Sequence, residues 1–345
     1  MLGNPFILVN WILTPKGALN MTTLNSLPLT LKTKISTRLE GRVHIDSLWK
    51  PNGVTNQFLE NADIYYARYT DNDHWKYLVG RALDLAGVDR QSSLRILDIG
   101  SGSGNTVFAA TDLLPNSVVY ANDISPQLLK ILVGIQERLP HLEGRIEAYC
   151  FDLHKDFFAD NTFDLVIGGS ILHHMFDPEA ALRNTARWLR PSGKICLFEP
   201  MEISAHIMTA LYLTLLAEME FELNPKIVKF FKGLCHDYEA RFGVPRVKPW
   251  TSRLDDKWFF HAIYLREMAS KINMTLELVA PTGTVGLENL FSDMVRSTLN
   301  IGGLGSISTP DKLWEIIETF DVGISQNLKK RFTSEGIIIL AKPSA

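Results

Sequence analysis

Between residues 55 and 87 apolar side chains recur at spacings of three and four: Phe58, Leu59, Ala62, Tyr65, Tyr66 and Tyr69, then Trp75, Leu78, Val79, Ala82, Leu83 and Leu85. That period predicts two consecutive helices. The polar break Asp71-Asn72-Asp73 offers side chains that cap the second. From residue 94 the period changes. Residues 94–99, 117–121, 146–151, 163–167 and 194–198 are short runs rich in apolar and β-branched side chains, and 103–113, 125–138 and 178–189 between them keep a helical spacing. Strands that are apolar on both faces and alternate with helices predict a parallel sheet covered on both sides, wound in both directions from its centre.

After Pro200 the alternation stops for about 70 residues. Residues 206–223 read as a strongly apolar helix, followed by an aromatic-rich, turn-containing stretch through Phe260 with Phe230, Phe231, Tyr238, Phe242, Trp250 and Trp258. The alternation returns with a helix at 262–272, a strand at 276–280, a helix at 310–320 and a last strand at 336–341. Seven strands result. The chain divides into an N-terminal extension (1–53) ending in the turn-like Pro51-Asn52-Gly53, a core with its preceding helices (54–200), a helical insertion or lid between strands 5 and 6 (201–262), and a C-terminal completion of the sheet (263–345).

Composition adds little beyond exclusions. A chain of 345 residues that is 46% hydrophobic and 21% charged is ordinary for a globular protein. Thirty-five basic against 38 acidic residues give a formal net charge of -3, which supplies no pull toward nucleic acid. The densest basic run, Lys329-Lys330-Arg331, reads as a solvated helix end. Cys150, Cys196 and Cys235 lie far apart without metal-ligand spacing, so no metal site is expected, and two of them fall in apolar strand runs, which suits a reducing, cytoplasmic setting. The apolar stretch 5–13 is too short to span a bilayer, so no stable membrane insertion is expected. Met21 opens the polar run MTTLNS and reads as an alternative start, with residues 1–20 an extension that an intact-mass measurement would detect.

The chemistry gathers where the first strand ends. Leu94-Arg95-Ile96-Leu97-Asp98-Ile99 runs into Gly100-Ser101-Gly102-Ser103-Gly104. Glycines let a backbone turn sharply and approach a ligand with no Cβ in the way. A strand, a glycine-rich turn and a helix start make the nucleotide-binding corner of such a sheet, and the acid Asp123, about 20 residues on, falls where a ribose is held. Two ligands use this corner. A dinucleotide loop reads GxGxxG and faces a pyrophosphate. Here the spacing is GxGxG, and the carboxylate of Asp98 two residues earlier would repel a pyrophosphate but favour a ligand bearing ammonium and sulfonium charges.

Asp98-Ile-Gly-Ser-Gly-Ser-Gly104, Asn122-Asp123-Ile-Ser, Phe151-Asp152-Leu153, residues 163–174 (FDLVIGGSILHH) and the stretch from Ala181-Leu182 to Trp188-Leu-Arg-Pro-Ser-Gly193 together resemble the ordered motifs of the class I S-adenosylmethionine-dependent methyltransferases. The likeness covers residues 94–200. It implies a Rossmann-like sheet in the order 3-2-1-4-5-7-6 with the last strand antiparallel, and S-adenosylmethionine as cofactor. It also implies that Asp98, Gly100, Gly102 and Gly104 hold the methionine end, Asp123 the ribose, Ile124 the adenine face and Asp152 the adenine amino group. Leu153 would add a backbone contact, and Ser170 and Ile171 the floor. Tyr65, Tyr66 and Tyr69 would close over the methionine carboxylate or pack as core.

The same likeness bears on the acceptor. The Asn/Asp-Pro-Pro-aromatic tetrapeptide of amino-group methylation on nucleobases and amides is absent after the fourth strand, where Leu172-His173-His174 resembles small-molecule and quinone-type enzymes. A hydroxyl acceptor needs its proton removed; His173 and Glu199 are the candidates, ahead of His174, His206, His236 and His261. The insertion's aromatics form an apolar wall for a ring-bearing acceptor, a lid core, or the contact of a homodimer. Gly302, Gly303 and Gly305 suggest a flexible loop. The expected function is methyl transfer to a small molecule, most simply O-methylation in secondary metabolism. A glycan or lipid-linked acceptor, or a non-catalytic donor-binding module, is the alternative.

Overall fold

The computed structural model describes residues 29–50, 58–242, 256–282, 287–332 and 334–344; the stretch 5–13, Met21, the turn Pro51-Asn52-Gly53 and Trp250 lie outside them. Two short strands come before everything the periodicity predicts. β1 (Thr37–Glu40) and β2 (Val43–Asp46) form a hairpin whose two-residue loop begins at Gly41, at φ +62°, and β2 runs parallel to a strand of the central sheet. Among the described residues the sheet therefore has nine strands, not seven, and part of the N-terminal extension belongs to it. At four residues each, with mostly polar side chains, both strands fall below what alternation can signal. Val43 and Ile45 are nevertheless buried in the core.

Helices α1 (Ala62–Tyr69) and α2 (Asn72–Leu85) follow, with Asp71 accepting from the His74 amide as cap. Then come β3 (Arg95–Ile99), α3 (Asn105–Leu113), β4 (Val118–Asp123), α4 (Pro126–Gln136), β5 (Ile146–Cys150), β6 (Phe163–Gly169), α5 (Pro178–Trp188) and β7 (Leu189–Pro200). The central parts of these strands are mostly apolar because neither face meets water; β4 is buried at all six positions. Residues of α2, α3 and α4 pack on one face of the sheet, and Ala181, Leu182 and Trp188 of α5 pack on the other.

The second half holds α6 (Glu202–Met219), α7 (Pro225–Arg241), α8 (Ala262–Lys271), β8 (Thr275–Pro281), α9 (Leu290–Ile301), α10 (Asp311–Gly323), α11 (Gln326–Lys329) and β9 (Glu335–Ala341). The sheet order is β1-β2-β5-β4-β3-β6-β7-β9-β8, with β9 antiparallel to both neighbours. Without the first hairpin this is the order 3-2-1-4-5-7-6.

Two helices occupy stretches the pattern leaves irregular. α7 replaces much of the expected turn region; Asn224 caps it by accepting from the Lys226 amide, and Pro225 sits where no amide is needed. α9 carries Phe291, Val295 and Leu299 at helical spacing. Together α6, α7, α9 and α10 enclose a third apolar core around Tyr212, Leu215, Phe231, Phe291, Leu313 and Ile317. The helical module thus draws on two separate segments. β8 and β9 complete the sheet, while the residues between them join the insertion above it. Gly302 and Gly303 close α9 rather than forming a loose loop: the Gly302 amide bonds Thr298 O, and Gly303 takes φ +70°.

In the basic run at 329–331, Lys330 and Arg331 are exposed as a solvated helix end would be, but Lys329 is not. Lys329 is only 1% exposed; its Nζ lies 3.0 Å from Asp321 Oδ1 and donates to Glu288 O at 2.8 Å. Asp321 in turn accepts from the Phe291 and Ser292 amides at the start of α9. Burial raises its pKa, but those amides and Lys329 outweigh it and hold the carboxyl below its ordinary value. Lys329→Met should cost about 3–5 kcal/mol in a chemical-denaturation curve, because it strands a buried carboxylate; a loss below ~1 kcal/mol would mean the pair is dispensable.

Candidate functional site

The glycine turn after β3 is locked from beneath. Ser101 bonds Asn122 O through its amide (2.8 Å) and its hydroxyl (3.1 Å), while Asn122 Nδ2 donates to Tyr149 O and Phe151 O. Asp123 Oδ2 accepts from the Gly102 amide at 2.8 Å and Oδ1 from Ser125 at 2.7 Å. One residue pair at the end of β4 therefore joins the turn to β5. Gly100 is obligatory on two counts: φ is +66°, and a Cβ there would lie 2.3 Å from Ile171 Cγ1.

This turn opens onto a cavity of about 420 Å³. Gly100, Gly102 and Asp123 line it together with the apolar side chains of Ile124, Leu128, Phe151 and Leu153, and Ser170 and Ile171 are among its walls. Asp152 lines it too and accepts from the His154 amide (2.9 Å) and ring Nδ1 (2.7 Å), which hold its carboxyl below the usual range. Burial pushes Asp123 up to about 6 despite its two amide donors. Of the three tyrosines, Tyr65 lines the cavity; Tyr69 does not, its carbonyl accepting from Asn105 and its ring lying beside that of Tyr65. Tyr66 is likewise not in the lining.

Asp98, expected to hold the methionine end, is set back from the cavity. It does not line that space but is fully buried behind the glycine turn, where the Thr106 side chain is near enough to favour its charged form but no bond of full hydrogen-bond geometry forms among the described residues. Burial raises its pKa to about 8. A carboxylate in such surroundings acts on a neighbouring cation through its field, not by contact. The glycine turn, the buried acid behind it and the acids Asp123 and Asp152 at the ends of β4 and β5 are compatible with a sulfonium donor.

A second chamber of about 370 Å³ lies between the carboxyl edge of the sheet and the helical module, and Ser170 lines both spaces. Ser170 is at φ +54°, unusual without glycine; its hydroxyl donates to Glu335 Oε1 at 3.1 Å. His173 faces the second chamber and His174 the first. Glu199 faces neither. It is fully buried: Oε1 accepts from the Ile171 and Leu172 amides (3.0 and 2.7 Å), and Oε2 from the His173 amide (3.3 Å) and His173 Nδ1 (2.7 Å). With four donors converging on it, Glu199 cannot serve as a base toward an acceptor. It is a positioning residue that fixes the loop 170–173 and the His173 ring.

The residues that sequence reasoning missed come from the far end of the insertion. Phe260 bonds Pro200 O and the Glu202 amide bonds Phe260 O, which draws residues 256–260 alongside β7. Asp256 Oδ1 then lies 3.6 Å from His173 Nε2 and 3.3 Å from His174 Nδ1, and Oδ2 lies 3.4 Å from Arg241 Nη1. Burial raises the Asp256 pKa, but His173, His174 and Arg241 outweigh it and the carboxyl stays below its ordinary value. Lys257 donates to His174 O at 2.8 Å. Asp256, Arg241, Tyr238 and Phe259 line the second chamber with Met201, Met208 and Met294. The insertion's aromatics divide: Tyr238 faces the chamber, Phe231 fills the lid core and Trp258 packs in the core under the sheet. His206, His236 and His261 line neither cavity; His261 caps α8 by accepting from the Tyr264 amide. Among the described residues no helix is long and apolar enough to cross a membrane, and the three cysteines are buried and unbridged.

Comparison with known proteins points the same way. Residues 97–195 match the family model of a methyltransferase domain. The chain is similar to the ubiquinone biosynthesis O-methyltransferase of Xanthomonas oryzae pv. oryzae, 35% identical over 122 residues, which is 34% of this chain and 46% of that one. It is also similar to the ubiquinone/menaquinone biosynthesis C-methyltransferase of Pseudomonas syringae pv. syringae, 33% identical over 134 residues, 38% of this chain and 50% of that one. The matches thus span half of those relatives' length or less. Among solved structures, the fold is similar to a chain of a Haloferax volcanii complex containing the Trm112 methyltransferase activator, with TM-score 0.53, 16% identity and coverage of 83% of this chain and 97% of that one.

Proposed function

The chain carries a class I S-adenosylmethionine-dependent methyltransferase domain, and from that premise we propose that it transfers the methyl group to a small molecule seated in the second chamber, with a hydroxyl as the methylated group. S-adenosylmethionine, when bound, supplies an electrophilic methyl on a positively charged sulfur. The residues of this chain then have three tasks. The glycine turn, Asp123 and the apolar lining orient the donor, and Ser170 borders both spaces where donor and acceptor must meet. Glu199 accepts the Nδ1 proton of His173, which leaves the Nε2 lone pair directed at the chamber. His173 takes the acceptor's proton as the new bond to the methyl carbon forms and the carbon–sulfur bond breaks.

The observation that carries this reading is the buried Glu199–His173 pair opening onto the chamber that borders the donor cleft. Met201, Met208, Met294, Tyr238 and Phe259 favour an acceptor with an apolar or ring-bearing body. Transfer to carbon is the second reading, supported by the likeness to a C-methyltransferase and by the same base, which can take a carbon-bound proton. Incubation with methyl-labelled donor and a panel of phenols, enols and activated methylenes, with NMR of the product, tests both. Label on oxygen supports the first and label on carbon the second. Donor binding without turnover on any acceptor would favour a regulatory donor-binding module.

A further inference from the structure

We propose that His173, His174 and Asp256 form a binding site for a divalent transition ion, Zn²⁺ foremost, and that filling it switches methyl transfer off. Only the switching half rests on the function proposed above. The ligand atoms are one nitrogen from each ring and a carboxylate oxygen, all within 4.8 Å of one another. A tetrahedral ion with ligands at about 2.0–2.1 Å spaces them about 3.3–3.4 Å apart. His174 Nδ1 lies 3.3 Å from Asp256 Oδ1, which is that spacing, and His173 Nε2 lies 3.6 Å from it, slightly longer.

A second observation is independent of those distances. A metal-ligating imidazole characteristically donates its other nitrogen to a carboxylate, which fixes ring and tautomer. Glu199 Oε2, buried and 2.7 Å from His173 Nδ1, makes that bond. The surrounding charge permits a cation. Glu199, Asp256 and Asp237 stand against Arg241 and Lys257; Arg241 is engaged by Asp237 and by the Asp256 oxygen turned away from the rings, and Lys257 Nζ by His174 O. Two imidazoles and one carboxylate suit zinc, cobalt or nickel better than magnesium or calcium.

His173 and Asp256 line the second chamber and His174 the donor cleft, so an ion would sit in the wall between them. It would take the same Nε2 lone pair that receives the acceptor's proton. One nitrogen cannot do both.

The test uses the full chain without an affinity tag, stripped with a chelator and titrated calorimetrically with zinc chloride, with cobalt(II) absorption as a check on ligand geometry. The expected result is one saturable equivalent and tetrahedral cobalt bands, weakened about 10-fold or more in both His174→Ala and Asp256→Ala, neither of which removes the Glu199–His173 bond. Stoichiometric zinc should cut turnover at least about 10-fold, and chelator should restore it. No saturable binding overturns the proposal. So does binding unchanged in both variants, which marks an adventitious ion only. Binding at the triad with full turnover overturns the switch, and faults the assignment of His173 as base rather than the site.

Discussion

Replacing His173 with alanine is expected to lower turnover by about 10²–10⁴-fold while leaving the affinity for S-adenosylhomocysteine unchanged. The imidazole faces the second chamber, not the donor cleft, so its loss removes proton transfer without touching the donor's contacts. Steady-state kinetics beside calorimetry separates the two effects, and added imidazole should restore part of the rate. Glu199→Gln should cut turnover as well, by a different route. A carboxamide nitrogen beside Nδ1 favours the tautomer that carries its proton on Nε2, and that tautomer cannot accept one. Nitrogen NMR of the ring would detect the switch. Full activity in His173→Ala would remove the base from the mechanism.

The second large effect concerns Asp98 and has two opposite signs. Without donor, the folded protein holds a proton on Asp98 up to about pH 8, whereas an unfolded chain releases it near about pH 4. The native state therefore binds the extra proton between those values, and stability falls as pH rises through that window. Asp123 adds to the same trend up to about 6. Asp98→Asn cannot ionise, so without donor it should unfold at a higher temperature than wild type at pH 8 and lose much of the slope. Its affinity for the donor should fall about 10-fold or more, equivalent to ~1.4 kcal/mol, because the field of the ionised carboxylate is gone. In wild type, donor binding at pH 7 should release a proton, seen as a dependence of the measured heat on the buffer's ionisation enthalpy. A variant that loses stability at pH 8, or keeps full donor affinity, would contradict the role given to Asp98.

These expectations show what the sequence carried and what it did not. The strands of the central sheet were legible because burial on both faces leaves continuous apolar runs, and the glycine turn because only Gly tolerates the space left by Ile171 and the backbone at φ +66°. β1 and β2 were not, since four residues of mixed polarity carry no period and their place depends on β5. α9 was missed because its apolar stripe faces helices from another segment, a tertiary fact. Within the site, Asp123, Ile124 and Leu153, which the motifs singled out, line one cavity beside the glycine turn. The role of Glu199 could not be read from its position at a strand end. It follows from the four donors that residues 171–173 turn toward it. Asp256 was invisible for the same reason: nothing local distinguishes it, and it reaches the two histidines through the pairing of Phe260 with the end of β7 and the bonds of Lys257 to His173 O and His174 O.

Calorimetric titration of S-adenosylhomocysteine into the wild-type chain and into Asp123→Ala tests the central claim most directly. One equivalent bound by wild type, with affinity at least about 10-fold weaker in the variant, is the predicted outcome. No heat of binding in wild type, or equal affinity in the two proteins, would mean that the cleft at the ends of β3, β4 and β5 does not hold the methyl donor.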